Sequence, residues 1–156
     1  MSIAGDPLYE LALPMPPSLN GYYLNAVRTV MRGATAGKRY VGRQLSAAGV
    51  DYRREVVAAV RRGHRSPPAL RGRLSIVVLL VPEDRRAFDL DNRFKCLLDA
   101  LTYAAVIQDD ALFDDIRMVR WNPSSDRARR CLLRISRFDP KRAIELANSF
   151  GIFDAD

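Results

Sequence analysis

The sequence predicts an α/β fold of the α+β type, with a small mixed β-sheet of about four strands, two main helices and a C-terminal helix in the order β-α-β-α-β-β-α. Residues 8–13 alternate apolar and polar side chains, the period of a strand with one buried face. Residues 74–81 are almost wholly apolar, which is typical of a central strand buried on both faces. Apolar residues recur at helical spacing over 46–62 and 91–105. At 156 residues, the chain 1–156 is expected to form one domain.

The last third of the chain supplies the remaining predicted elements. Two alternating segments, 116–121 and 131–137, are separated by a cluster of turn residues, and this pattern predicts a β-hairpin. Pro140 can open a last helix, because a first-turn residue needs no N–H partner, and Gly151 can end that helix. We therefore expect residues 138–156 to form a C-terminal helical extension.

Residues 24–45 show no clear period and combine glycine, aromatic and basic side chains. They are predicted to form a long basic loop or arm, because so long an irregular segment in a small domain is usually functional or mobile. Lys38 and Arg39 in this arm could grip a phosphate backbone. A disordered insertion fits the same composition.

The charge of the chain indicates a polyanionic partner. The formal net charge is +7 and the sequence pI is about 9.9. Clustered cations gain affinity for nucleic acid by releasing its condensed counterions, so nucleic acid is the favoured partner. The surplus of arginine and alanine could instead reflect the base composition of the coding DNA.

Several classes of protein are excluded by other residue patterns. No apolar run approaches the roughly 20 residues of a membrane span, and the N-terminal residues lack the features of a secretion signal. A cytoplasmic location without a membrane partner is therefore expected. Cys96 and Cys131 stand in no metal-binding pair, and His64 is the only histidine, which excludes a zinc site or a Cys–His nucleophile.

Acidic residues cluster around the second main helix. Asp89 and Asp91 stand at its entry, Lys95 follows one turn later, and Asp109 and Asp110 come just after its end. Oxygen ligands without His or Cys suit Mg²⁺ or Mn²⁺, which keep several waters and take a few carboxylates together with the phosphate oxygens of a substrate. Asp110 could complete such a site if the loop after the helix folds back.

A plainer interpretation of the same acids is also open. Aspartates before a helix are good N-caps that complement its dipole, and adjacent aspartates after a helix are ordinary turn chemistry. Lys95 can pair with Asp91 or Asp99 one turn away, which contributes about 0.2–0.5 kcal/mol. From spacing alone, caps and turn residues are favoured over a metal site.

Four short motifs in the sequence resemble those of a known protein family: LPMPPSLN at 13–20, DLDNRFK at 89–95, LDAL at 98–101 and VIQDD at 106–110. With Tyr22-Tyr23 and Tyr52-Arg53, they resemble the RusA family of Holliday junction resolvases over most of residues 8–137. The chain departs from compact members of that family in three ways. These are a longer segment between Tyr23 and Ser46, a basic run before DLDN reduced to Arg85-Arg86, and the extension 138–156.

The resemblance implies a role for each motif acid. It assigns Asp89, Asp91 and Asp110 as ligands of Mg²⁺, for which Mn²⁺ can substitute, and Lys95 as a catalytic residue near the scissile phosphate. Asp109 and Asp99 are implied to lie next to these residues and to support them without binding the metal themselves. No small-molecule cofactor is expected.

The resemblance also implies the partners. The expected substrate is a four-way junction or other branched DNA, and a two-fold homodimer is expected because two matched nicks require two sites. The candidate DNA-binding residues are Arg85, Arg86, Arg93, Lys38 and Arg39. Two other classes stay open, a non-catalytic DNA- or RNA-binding module whose acids are caps and turn residues, and a protein-interaction domain with incidental basic charge.

Overall fold

The structure, a computed structural model, describes residues 7–63, 66–84, 87–121 and 129–151. Within these ranges the chain forms β1 Tyr9–Leu13, α1 Leu19–Tyr22, β2 Tyr23–Thr29, β3 Arg39–Leu45, α2 Ala47–Gly63, β4 Leu74–Val81, α3 Leu90–Tyr103, a 3₁₀ turn Asp110–Leu112, β5 Phe113–Arg120, β6 Arg130–Arg137 and α4 Pro140–Ser149. The predicted α+β class is confirmed, with its mixed sheet, two main helices and C-terminal helix. The short α1 and the strands β2 and β3 were not predicted.

The main sheet has the strand order β1-β6-β4-β5, in which β4 is parallel to β5 and antiparallel to β6. The run 74–81 is therefore an interior strand, as predicted. The prediction that 116–121 and 131–137 pair as a hairpin is wrong, because β5 and β6 lie on opposite sides of β4. A period of two shows which face of a strand is buried and carries no information about which strand lies beside it.

The core lies between the main sheet and the apolar stripes of α2 and α3. Leu97 and Leu101 of α3, with Val56 and Val60 of α2, are at most 1% exposed. Each large apolar side chain buried in this way contributes roughly 1.5–3 kcal/mol, so this layer holds α3 and its polar edge in place.

Residues 24–45 do not form the irregular loop that their lack of period predicted. Strands β2 and β3 pair antiparallel along their whole length, and we call the segment 24–45 the basic arm. Val27 and Val41 face each other across the two strands and are 62% and 75% exposed. Because both faces of this hairpin meet solvent, its sequence has no reason to alternate, and a pattern of buried faces could not reveal it.

The basic arm is rooted where α1 meets the start of α2. Ser46 caps α2, since its Oγ accepts a hydrogen bond from the Gly49 N–H at 2.9 Å, and the Ser46 N–H donates to the Tyr22 carbonyl at 2.9 Å. Gly49 is required here, because a Cβ at this position would collide with the same carbonyl. This close approach fixes Tyr22, and with it the adjacent Tyr23, against the start of α2.

The C-terminal helix α4 begins as predicted, with Pro140 in its first turn and the Asp139 side chain accepting from the Lys141 N–H at 3.0 Å. Gly151 follows it with a φ of +66°, a left-handed conformation that glycine adopts without strain. None of the α4 side chains is buried. Across the described ranges, no helix combines the length and apolarity that crossing a bilayer would need.

Candidate functional site

Lys95 lies between two carboxylates at the polar edge of α3. Its Nζ is 2.6 Å from Asp110 Oδ2 and 3.1 Å from Asp99 Oδ1. The hydrogen bond to Asp110 raises the pKa of Lys95 and lowers the pKa of Asp110. Both groups are therefore charged at neutral pH, and Lys95 presents an ammonium at a partly exposed site.

The turn after α3 brings Asp110 back toward the helix. Ala105 adopts a φ of +57°, and Ile107 then pairs with Leu70 in a short parallel bridge. Asp109 caps the 3₁₀ turn, with its carboxylate accepting from the Ala111 N–H at 2.8 Å. The loop after α3 therefore does fold back, as Asp110 needs in order to reach the candidate site. Asp109, in contrast, is a turn residue, as the plainer interpretation of these acids predicted.

Asp89 immediately precedes α3, Asp91 lies in its first turn, and both are exposed. Asp89 occupies the N-cap position, but its side chain makes no capping hydrogen bond, and its Oδ2 accepts instead from Asn92 Nδ2 at 3.2 Å. In the part of the chain that the structure describes, Asp91 has no side-chain hydrogen bond or ion pair. Both carboxylates thus present oxygens to solvent at the positive end of the helix dipole.

A preformed metal cage would need the three motif aspartates to converge. Among the described residues, no three His, Cys, Asp or Glu side chains are grouped so that they could hold a metal ion. The donors nevertheless suit Mg²⁺ in kind, since this ion takes oxygen ligands and often uses only one or two carboxylates, with water and substrate phosphate completing its shell. The residues fit a site shared with a phosphate better than a preformed cage.

A cavity of about 330 Å³ opens beside Lys95. It is lined by Tyr23, Arg53, Lys95, Asp99, Thr102, Tyr103, Asp109 and Asp110. Three of the predicted site acids thus share one concave surface with the predicted catalytic lysine. Asp89 and Asp91 do not line it.

Two cavity residues, Tyr23 and Arg53, were not predicted as site residues. The Tyr23 hydroxyl donates to Asp99 Oδ2 at 2.7 Å. Arg53 Nε donates to the Tyr22 hydroxyl at 2.7 Å, and its guanidinium lies 4.8 Å from the centroid of the Tyr103 ring. Their only sequence signal is that each belongs to a stretch similar to the RusA family, Tyr22-Tyr23 and Tyr52-Arg53.

The predicted DNA-binding residues lie in different surroundings. Lys38 and Arg39 are exposed on the basic arm. Arg85 and Arg86 lie outside the residues that the structure describes. Arg93 is only partly exposed, and it donates to the Pro16 carbonyl, which ties α3 to the segment after β1.

The Phe88 ring, just before Asp89, is held by two arginines. The Arg93 guanidinium lies 4.3 Å from the ring centroid and that of Arg120 lies 4.9 Å from it. Arg120 also donates to the Phe88 carbonyl at 2.9 Å. These contacts fix the chain at the entry to α3 and so restrict the position of Asp89.

Comparisons with known proteins identify the family of this chain. The family model of endodeoxyribonuclease RusA matches residues 25–130. The crossover junction endodeoxyribonuclease rusA of Enterobacteria phage HK97 is 37% identical over 112 residues, which cover 72% of this chain and 82% of the phage protein. The crossover junction endodeoxyribonuclease RusA of Escherichia coli (strain K12) is 36% identical with the same coverage. The chain therefore belongs to the endodeoxyribonuclease RusA family, as its motifs indicated.

Proposed function

We propose that the chain is a Mg²⁺-dependent endonuclease that resolves Holliday junctions by paired, symmetric nicks in DNA recombination and repair. The observation that carries the proposal is Lys95 paired with Asp110, on a helix that has Asp89 at its N-cap position and Asp91 in its first turn. Relatives in this family are named crossover junction endodeoxyribonucleases. We expect the protein to act in the cytoplasm.

Asp89, Asp91 and Asp110 are the proposed metal ligands. Bound Mg²⁺ would lower the pKa of a water and offset charge on the phosphate oxygens. The Lys95 ammonium donates hydrogen bonds to the scissile phosphate or its leaving oxygen and stabilises the charge that develops there. Mn²⁺ is expected to replace Mg²⁺, because both prefer oxygen ligands.

A binding module without catalysis explains these contacts less well. It accounts for Asp109, which caps the 3₁₀ turn. It does not explain why Asp89 occupies the N-cap position without making a capping hydrogen bond. It also does not explain why Lys95 of α3 pairs with Asp110, which lies in the turn after the helix. In the endonuclease proposal, Asp89 serves as a metal ligand and Lys95 is a catalytic residue placed beside the metal ligand Asp110.

We also propose a two-fold homodimer. A Holliday junction has two-fold symmetry, and two matched nicks require two sites in opposite orientation. A single chain offers one such set of motif acids. Coupled nicking of two strands at symmetric positions is the behaviour expected of the pair.

A cleavage assay on branched DNA tests both proposals. A labelled four-way junction and a linear duplex of the same sequence are incubated with the protein in Mg²⁺, Mn²⁺ or EDTA. We expect paired, symmetric nicks in the junction with either metal, and intact DNA in EDTA and in the linear duplex. Junction binding without nicks would favour the binding module, uncoupled single nicks would contradict the dimer, and absence of binding would favour a protein-interaction domain.

We propose that the basic arm contributes to DNA binding by contacting the phosphate backbone. Residues 24–45 contain no Asp or Glu, and the exposed Lys38 and Arg39 stand on this segment. The arm begins beside Tyr23, which lines the cavity next to Lys95. DNA held along the arm would therefore lead into the candidate site.

The double variant Lys38→Ala/Arg39→Ala is expected to weaken junction binding in EDTA and to reduce its salt dependence. Two lost phosphate contacts should lower the slope of log K against log salt by about 1.8, with little change in sequence preference. Fluorescence anisotropy over a salt series measures this slope. The matched control is Arg54→Ala/Lys141→Ala, which removes two exposed cations from α2 and α4. Equal slopes for the two double variants would contradict the proposal that the arm contacts the phosphate backbone.

A further inference from the structure

Tyr23 stands at the root of the basic arm, yet its hydroxyl reaches the cavity beside Lys95. The hydroxyl donates to Asp99 Oδ2 at 2.7 Å, and the other oxygen, Asp99 Oδ1, lies 3.1 Å from Lys95 Nζ. The Asp99 side chain is only 17% exposed, whereas that of Lys95 is 51% exposed. One shielded carboxylate thus connects the tyrosine to the exposed lysine.

We propose that Tyr23 and Asp99 are positioning residues that hold the Lys95 ammonium where it meets the reacting phosphate, an inference that rests on the proposed nuclease function. A lysine side chain is a point charge on a flexible stem of four carbons. Catalysis by such a group depends on how narrowly it is held before the phosphate arrives. Asp99 restricts the ammonium, and Tyr23 restricts Asp99.

Tyr23 is needed because a carboxylate on a helix surface can rotate. Its hydroxyl engages one oxygen of Asp99 and so leaves the other directed toward Lys95. Burial, aided by the hydrogen bond to Asp99, raises the pKa of Tyr23 to about 12. The hydroxyl therefore keeps its proton and remains a donor at any pH at which the protein would cleave DNA.

Asp110 cannot replace Asp99 in this role. Asp110 is the closer partner of Lys95, at 2.6 Å, but it is also a proposed metal ligand. A carboxylate that serves a metal is less available to an ammonium. Asp99 has no such competing assignment, and it lies on the same helix as Lys95 one turn away, so it is the lasting anchor.

A purely structural role for Tyr23 would give different results. In that case its bond to Asp99 would only fasten the root of the arm to α3, and losing it would lower stability or DNA affinity. A positioning role affects the rate of cleavage at saturating DNA instead. The two roles are separated by measuring the melting temperature, the junction affinity in EDTA and the single-turnover rate on the same variants.

Tyr23→Phe keeps the ring and removes only the hydroxyl. We expect its single-turnover cleavage rate to fall about 10-fold, as loss of a hydrogen bond to a charged group would allow, with unchanged junction affinity. The control is Tyr52→Phe, which removes a buried hydroxyl that has no hydrogen-bond partner among the described residues. This control should cleave at the original rate. A Tyr23→Phe rate equal to that of the control would overturn the proposal.

A double variant tests whether Tyr23 acts through Asp99. Asp99→Asn should slow cleavage more than Tyr23→Phe, because the amide replaces a charged oxygen facing Lys95. Combining the two should add no further loss, since the hydroxyl has lost the group that it orients. Multiplied losses in the double variant would show that Tyr23 acts by another route and would contradict the proposal.

A second measurement needs no cleavage. The chain has three lysines, Lys38, Lys95 and Lys141, whose rates of trace acylation can be followed by mass spectrometry in an Asp110→Asn background without metal, where Asp99 is the charged group left beside Lys95 among the described residues. Tyr23→Phe should raise the rate at Lys95 several-fold and leave the other two unchanged. If the unmodified protein fails to cut any junction, the proposed function is wrong, and the Lys95 rate still shows whether Tyr23 holds this side chain. An unchanged Lys95 rate would overturn the positioning role.

Discussion

Asp91→Asn is expected to abolish nicking of a four-way junction while leaving junction binding intact. Asn has nearly the shape of Asp but lacks the charge that a hard divalent cation prefers in its ligands. A site that uses few carboxylates depends strongly on each one. A metal supplies several kcal/mol of transition-state stabilisation, and each 1.36 kcal/mol is a factor of ten, so we expect at least about a 100-fold loss of rate.

The measurement is single-turnover cleavage in Mg²⁺ and Mn²⁺ beside junction binding in EDTA. Asp91 is suited to this test because it has no side-chain partner within the described ranges, so its replacement breaks no contact seen there. The matched control is Asp51→Asn, another exposed helical aspartate, whose contact with Arg54 is a weak surface pair at 3.5 Å. Cleavage by Asp91→Asn within a few-fold of the control would remove Asp91 from the proposed ligands.

Lys95→Ala is expected to separate metal binding from catalysis. The variant loses the ammonium at the reacting phosphate, and the loss of one preorganised charge donor typically costs about 100- to 1,000-fold in rate. It also leaves Asp110 without its cation at 2.6 Å. Mn²⁺ should therefore bind at least as tightly as to the unmodified protein, although cleavage is nearly lost.

Calorimetric titration with Mn²⁺ and single-turnover cleavage test the two halves of this expectation. Lys141→Ala is the control, because Lys141 is an exposed lysine on α4, whose side chains are all unburied. Weaker Mn²⁺ binding by Lys95→Ala would contradict the view that Lys95 competes for Asp110. Cleavage near the control rate would exclude Lys95 from catalysis.

The sequence predicted those parts of the fold in which burial imposes a period. Strand β1, the apolar β4 and both main helices each bury one face or two, so their side chains report their surroundings. The basic arm exposes both faces, and its strands therefore show no alternating pattern in the sequence. The pairing of β5 with β4 rather than β6 is a property of the assembled sheet, which no local pattern encodes.

The site was predictable where its contacts are local in sequence. Lys95 and Asp99 are one helical turn apart, and the return of Asp110 follows from the short turn after α3. The hydrogen bond from Tyr23 to Asp99 spans 76 residues and depends on how α1 packs, so no spacing rule could find it. The convergence of Asp89, Asp91 and Asp110 on one metal stays a prediction.

The hairpin of the basic arm can vary in length at its tip but not at its root. Its turn contains Gly33 and Gly37 in left-handed conformations with nothing within 4 Å of either Cβ position, so extra residues there would meet open space. At its root, Tyr23 contacts Asp99 and the Ser46 N–H contacts the Tyr22 carbonyl. Relatives can therefore be expected to differ in the length of the arm's tip, whereas an insertion at the root would shift the residue that touches the site.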